Sequence, residues 1–137
     1  MTLWRAVAID SIHGTNPLYP DLTNRVLLNG DIRRPDVSVY TDEHGVQRVK
    51  AQEGRGTSLT DKEGVFGFKK WGYIAIPAGT LIPNALIITR DHFVTGKDCW
   101  QYSISPNRDM PVDEFLSALD QFALNARMQT AASRRHA

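Results

Sequence analysis

The chain has 137 residues, 42% apolar and 23% charged, with sixteen Lys/Arg against fifteen Asp/Glu. That is one domain's worth of chain, residues 1–137, with room for a sizeable core and no global field that calls for nucleic acid or an anionic membrane. A single cysteine, Cys99, excludes an intramolecular disulfide and a thiolate-rich zinc site, and His13, His44, His92 and His136 lack metal-ligand spacing, so no metal is expected.

Met1-Thr2-Leu3-Trp4-Arg5 carries no signal-peptide pattern, and no apolar run reaches the length of a membrane span. Residues 3–9 read as a strand with apolar residues on both faces, hence a buried one. Arg5 interrupts it. A buried guanidinium needs an anion, and an internal carboxylate or a bound phosphate serves equally well at this point. From Asp10 to Pro35 the chain is rich in turns, with His13-Gly14, Asn16-Pro17, Tyr19-Pro20 and Asn29-Gly30. Within it Asp21 to Leu28 is expected to form a short helix capped by Asp21 and ended by Asn29-Gly30. His13 reads as a loop residue and Arg33-Arg34 as a solvated pair.

Val37 to Tyr40 and Val46 to Ala51 read as short strands joined by the turn Thr41-Asp42-Glu43-His44-Gly45. The stretch Gly54 to Gly67 follows, with four glycines and the hydroxyl pair Thr57-Ser58, which begins a short strand. Hydroxyls beside glycines can offer side chain and amide to a polar ligand, but taken alone the stretch is better read as turn chemistry. Phe66 to Lys70 alternates apolar and polar residues. Strands are expected at Tyr73–Ile76, Leu86–Thr89 and Trp100–Ile104, bounded by Pro77-Ala78-Gly79, by Pro83-Asn84 and Arg90-Asp91, and by Pro106-Asn107.

Pro111 opens a helix that runs to about Thr130, with Asp113 and Glu114 in its first turn. Phe115, Leu116, Leu119, Phe122, Ala123 and Ala126 fall on one apolar face, which should pack on a sheet. Arg134 to Ala137 reads as a frayed basic end. The fold class is therefore α+β, with many short strands and one long C-terminal helix.

Four segments occur in order: Leu3-Trp4-Arg5-Ala6-Val7; Gly56-Thr57-Ser58-Leu59; Ile76-Pro77-Ala78-Gly79-Thr80-Leu81-Ile82-Pro83; and Gln101-Tyr102-Ser103-Ile104, before the helix Met110–Ala126. As an ordered set they resemble the second exported effector toxin of the Pseudomonas type VI secretion system and its relatives, a family with an ADP-ribosyltransferase-like fold. The likeness covers both ends and the middle, and leaves out the loop from about Asp10 to Pro35. It implies a split β-core with NAD held in the cleft between two small sheets. Three motifs mark arginine–serine–glutamate ADP-ribosyltransferases. Arg5 matches the first-strand arginine that holds ribose and phosphate, and Thr57-Ser58 match the hydroxyl pair that supports the ribose site, with Gly56 leading into it.

The third motif, a late-strand glutamate, is absent. Gln101, Tyr102 and Ser103 stand there, and Gln101 offers hydrogen bonds without charge. Breaking the nicotinamide–ribose bond passes through an oxocarbenium-like state that a carboxylate stabilises. Gln101 alone, another carboxylate such as Glu63, or a fold that binds a nucleotide without turnover are the open alternatives. Phe66, Tyr102 and Tyr40 are aromatic candidates for stacking on nicotinamide. The resemblance further implies a cognate immunity protein, a secretion-apparatus component, export without a cleavable signal and action on an unidentified target in the recipient cytoplasm.

Two other readings belong to different classes. Lys69-Lys70-Trp71-Gly72-Tyr73 interleaves basic and aromatic residues as single-strand binders do, against a near-zero net charge. The missing glutamate equally suits an interaction domain without chemistry. Cys99 has no sequence-evident base and reads as a packed residue.

Overall fold

A computed structural model describes residues 1–11 and 15–135. The expectations for His13 and for the end of the basic tail, His136 and Ala137, lie outside the described residues. Ten strands precede one helix: β1 (Leu3–Ala8), β2 (Arg25–Val26), β3 (Ile32–Arg33), β4 (Val39–Thr41), β5 (Gln47–Val49), β6 (Thr57–Thr60), β7 (Trp71–Ile76), β8 (Leu86–Val94), β9 (Cys99–Pro106), β10 (Met110–Pro111) and α1 (Val112–Arg135). The α+β class read from the sequence is the observed one.

The main sheet is antiparallel with strand order β7-β1-β6-β9-β8, and a smaller sheet runs β10-β5-β4. Residues directly paired share a face, and neighbours along a strand take opposite faces. Pairing of Leu3 with Ile76, Leu59 with Tyr102, Thr57 with Ile104 and Leu86 with Pro106 therefore gathers one apolar face. Helix α1 covers that face with Phe115, Leu119 and Phe122, each fully buried. Burying side chains of this size contributes roughly 1.5–3 kcal/mol each. Its apolar stripe is the one that the sequence spacing marks out.

The other face of the main sheet carries small and polar residues at its centre, with Trp4, Trp71 and Tyr73 toward the β7 edge. Ala6, Ser58, Ser103 and Thr89 follow across neighbouring strands, and Trp4, Thr60, Gln101 and His92 form the next row. A loop borders this open face. The turn before β6 lies over Ser105, whose Oγ donates to the Arg55 carbonyl oxygen at 2.7 Å. The chain approaches so closely here that a Cβ on Gly56 would stand 1.8 Å from the Ile104 carbonyl oxygen. Glycine is the residue this crossing accepts.

Two expectations are corrected. Asp21 to Leu28 is not a helix: Arg25–Val26 pair with Ile32–Arg33 around Asn29-Gly30, with Gly30 at φ +88. Asp21 is committed elsewhere, its N–H donating to Asp36 Oδ2 and its carbonyl accepting from Asp36 N–H. Residues 24–28 are exposed throughout, so a helix there would bury no apolar face, and short helices need one. The second correction is that β8 runs on through Arg90-Asp91 to Val94, with a register shift between Arg90 and His92. Phe66 to Lys70 stays irregular. Gly64 and Gly67 both have positive φ, and the Tyr73 hydroxyl accepts from Phe66 N–H at 2.9 Å and donates to the Gly67 carbonyl at 2.7 Å.

Candidate functional site

Arg5 lies on β1, on the face turned toward α1. Its Nε donates to the Pro17 carbonyl oxygen at 3.0 Å and its Nη1 to the Ser58 carbonyl oxygen at 3.1 Å. Thr57, fully buried on the same face, donates Oγ1 to the Leu18 carbonyl oxygen at 2.6 Å. Both side chains therefore hold one strap, residues 16–19. The strap is fastened in turn to α1: Asn16 Nδ2 donates to the Leu119 carbonyl at 3.0 Å, and Tyr19 Oη donates to Asp120 Oδ1 at 2.7 Å. That bond, more than desolvation, raises the Tyr19 pKa.

The internal carboxylate that the sequence offers as one partner of Arg5 is not the one observed. Among the described residues it forms no ion pair; carbonyl oxygens solvate it instead. Burial lowers its pKa, and the fields of Asp36 and Asp21 oppose that shift while Arg33 adds to it. An arginine keeps its charge through such shifts. Two of its five N–H donors face carbonyls, and a cation satisfied by neutral acceptors retains an attraction for an anion.

Ser58 points the other way, onto the open face. Gln101 Nε2 lies 3.4 Å from Ser58 Oγ, so these two predicted residues meet. The two pairs, Arg5 with Thr57 and Ser58 with Gln101, stand on opposite faces of the sheet and are linked through the Ser58 carbonyl. Along the open face, Ala6 pairs with Tyr73 and Ala8 with Trp71, which sets small residues beside aromatic ones. Phe66 packs on Trp71 with ring centres 5.1 Å apart, Phe68 on Tyr73 at 5.3 Å, and Lys97 Nζ stands 5.8 Å from the Phe66 ring. Trp71 and Tyr73 are thus engaged by rings of their own chain, while Lys69 and Lys70 are exposed.

Tyr102 is buried on the helix face, opposite Leu59, with its hydroxyl 3.7 Å from Met1 Sδ. Glu63 lies in an exposed turn beyond the end of β6. Cys99 is buried, and burial is the first cause that pushes its thiol pKa up. Tyr40 belongs to a different region, where its hydroxyl donates to Asp109 Oδ2 at 2.8 Å.

Two hollows of the described surface are also elsewhere. One of about 530 Å³ is lined by Asn24, Arg34, Ser38 and Arg55, and a second of about 550 Å³ by Ser38, Tyr40, Lys50, Arg55 and Asp109. Neither includes Arg5, Thr57, Ser58 or Gln101. Both are wide depressions, and Arg55, which they share, donates to the Pro35 carbonyl at 2.7 Å and so acts as a strut.

Sequence reading misses one polar group on the open face. Asp91 accepts from Thr89 Oγ1 and from Ser103 Oγ, and Ser103 pairs opposite Ser58. Its sequence signal, Arg90-Asp91 after an apolar run, is that of a strand end. Among the described residues no group of three or more His, Cys, Asp or Glu is arranged to hold a metal, and no helix is long and apolar enough to cross a membrane.

A model of the Tse2 ADP-ribosyltransferase toxin family matches residues 1–131. No curated protein matches the chain.

Proposed function

Because the chain belongs to the Tse2 ADP-ribosyltransferase toxin family, we propose that its substrate is NAD and that the open face of the main sheet is where NAD is cleaved. The observation that carries this is the contact of Ser58 with Gln101, backed through the Ser58 carbonyl by the half-buried cation of Arg5. Bound NAD supplies a ribosyl group whose bond to nicotinamide breaks, with capture by a target nucleophile or by water. The chain's own residues bind and orient. Ser58 and Gln101 offer a hydroxyl and an amide to ribose hydroxyls. Arg5 fixes the β6 backbone at Ser58 and contributes positive potential toward the phosphates. Trp71 and Tyr73 give the open face an aromatic border on β7.

Transfer to a macromolecule and hydrolysis both release nicotinamide, so this product tests the reading. Wild-type protein is expected to bind NAD in calorimetry and to release nicotinamide. Release should fall at least about 100-fold in Arg5→Ala and in Thr57→Ala/Ser58→Ala. Absence of nicotinamide release from folded wild-type protein would overturn it. We further propose, by kinship with the family, that a cognate immunity protein neutralises the toxin in the producing cell. Delivery would use a type VI secretion component, with action in the recipient cytoplasm.

A further inference from the structure

Strand β9 offers no carboxylate at the position where the related enzymes use one, yet a carboxylate reaches the same face from β8. The register of β8 on β9 shifts between Arg90 and His92, leaving Asp91 as the extra residue. A bulge of this kind re-aims a side chain. Here it turns Asp91 onto the open face, where Thr89 Oγ1 donates to Oδ1 at 2.7 Å and Ser103 Oγ donates to Oδ2 at 2.5 Å.

Ser103 is fully buried and stands directly across from Ser58, which sets their Cβ atoms about 5 Å apart. Asp91 is thus two strands from Ser58, with Ser103 of β9 between them, and Gln101 lies on the same face two residues before Ser103. The chain crosses over it bare: a Cβ on Gly54 would sit 3.7 Å from Asp91 Oδ1. Among the described residues Asp91 is in no ion pair, while the neighbouring Arg90 turns to the other face and lies 4.3 Å from the Trp100 ring centre. The carboxylate is partly exposed and held by two hydroxyls, and its charge is left uncancelled.

We propose that Asp91 supplies, from the β8 bulge, the negative charge that this site needs and that β9 lacks. The proposal rests on the NAD reading given above. As the bond between the ribosyl carbon and the nicotinamide nitrogen breaks, its electron pair leaves on nitrogen and positive charge develops at carbon. A hydroxyl or amine of the target, or water, then bonds to that carbon and gives its proton to solvent. Asp91 forms no bond and takes no proton; it offsets the developing charge across the face it shares with Ser58.

Nicotinamide release, NAD calorimetry and thermal unfolding on wild type, Asp91→Asn and Asp91→Glu test this. In Asp91→Asn, kcat is expected to fall about 100-fold, while KM and the NAD dissociation constant stay within about threefold of wild type. Asp91→Glu, which keeps the charge, is expected to recover at least about a tenth of the wild-type kcat. A variant that only loosened the fold would lose its unfolding midpoint and NAD affinity together. Should Asp91→Asn not fold, Asp91→Ser carries the test, because it removes the charge with a smaller side chain that keeps a hydroxyl; kcat then falls about 100-fold with KM unchanged. Wild-type turnover in Asp91→Asn, or in Asp91→Ser where that variant is needed, overturns the assignment and leaves the NAD reading standing. Folded wild-type protein that releases no nicotinamide overturns both.

Discussion

At Thr57 the hydroxyl is fully buried and donates to the Leu18 carbonyl oxygen at 2.6 Å, while the next residue turns its hydroxyl toward Gln101 on the far side of the sheet. Adjacent residues on a strand must diverge in this way. A single hydroxyl pair therefore does two jobs, one in packing and one at the candidate site. Replacing Thr57 by Val keeps the shape and removes the donor, leaving the Leu18 carbonyl buried without that partner. The cost expected is about 1–3 kcal/mol, read as a lower urea midpoint with an unchanged slope. A midpoint equal to wild type would show that water or a small strap movement replaces the bond.

Among the elements, the small sheet β10-β5-β4 depends on one carboxylate. Asp109 Oδ1 accepts from Ala51 N–H at 2.8 Å and Oδ2 from the Tyr40 hydroxyl at 2.8 Å, and its carbonyl accepts from Arg48 Nη2 at 3.3 Å. The Ala51 bond first, then the Tyr40 bond, holds the Asp109 pKa below its ordinary 3.8. A depressed folded pKa means that the folded state favours the ionised form. The resulting stability is fully present above the ordinary value and is lost as pH falls through the lower folded one. Between about pH 5 and about pH 2 the wild-type unfolding temperature should therefore fall more steeply than that of Asp109→Asn. Parallel curves would mean that the carboxylate's bonds add nothing in solution.

The elements also show where sequence reading stops. The long helix and most strands of the main sheet are legible because apolar spacing and Pro/Gly punctuation agree there. The Asp21–Leu28 segment misleads because Asn29-Gly30 ends a helix and turns a hairpin equally well. Only the cross-chain pairing of Asp21 with Asp36 decides between them. Arg90-Asp91 misleads for a related reason: a charged pair after apolar residues marks either a strand end or a bulge. Asp91 was hidden from the candidate site by that ambiguity. Arg5, Thr57, Ser58 and Gln101 could be picked out as residue types in order, but which face each occupies follows from register, a long-range property.

At the scale of the whole molecule, the main sheet separates two roles. Its helix face carries Arg5 and Thr57 and secures the strap to α1; its open face carries Ser58, Gln101 and Asp91. Arg5 serves both, through Pro17 on the strap and the Ser58 carbonyl on β6. This division predicts two kinds of variant. Ser58→Ala removes a partly exposed hydroxyl whose partner is the Gln101 amide at 3.4 Å. Its stability should stay within about 0.5 kcal/mol of wild type, while nicotinamide release falls at least about tenfold. Arg5→Lys keeps the charge but loses the planar fork that reaches two carbonyls at once. It should lose about 1–3 kcal/mol of stability together with activity. Urea unfolding and nicotinamide release, measured on the same preparations, separate the outcomes. If Ser58→Ala and Arg5→Lys lose stability and activity in the same proportion, the sheet does not divide the two roles, and the open face has no claim to the chemistry independent of the fold.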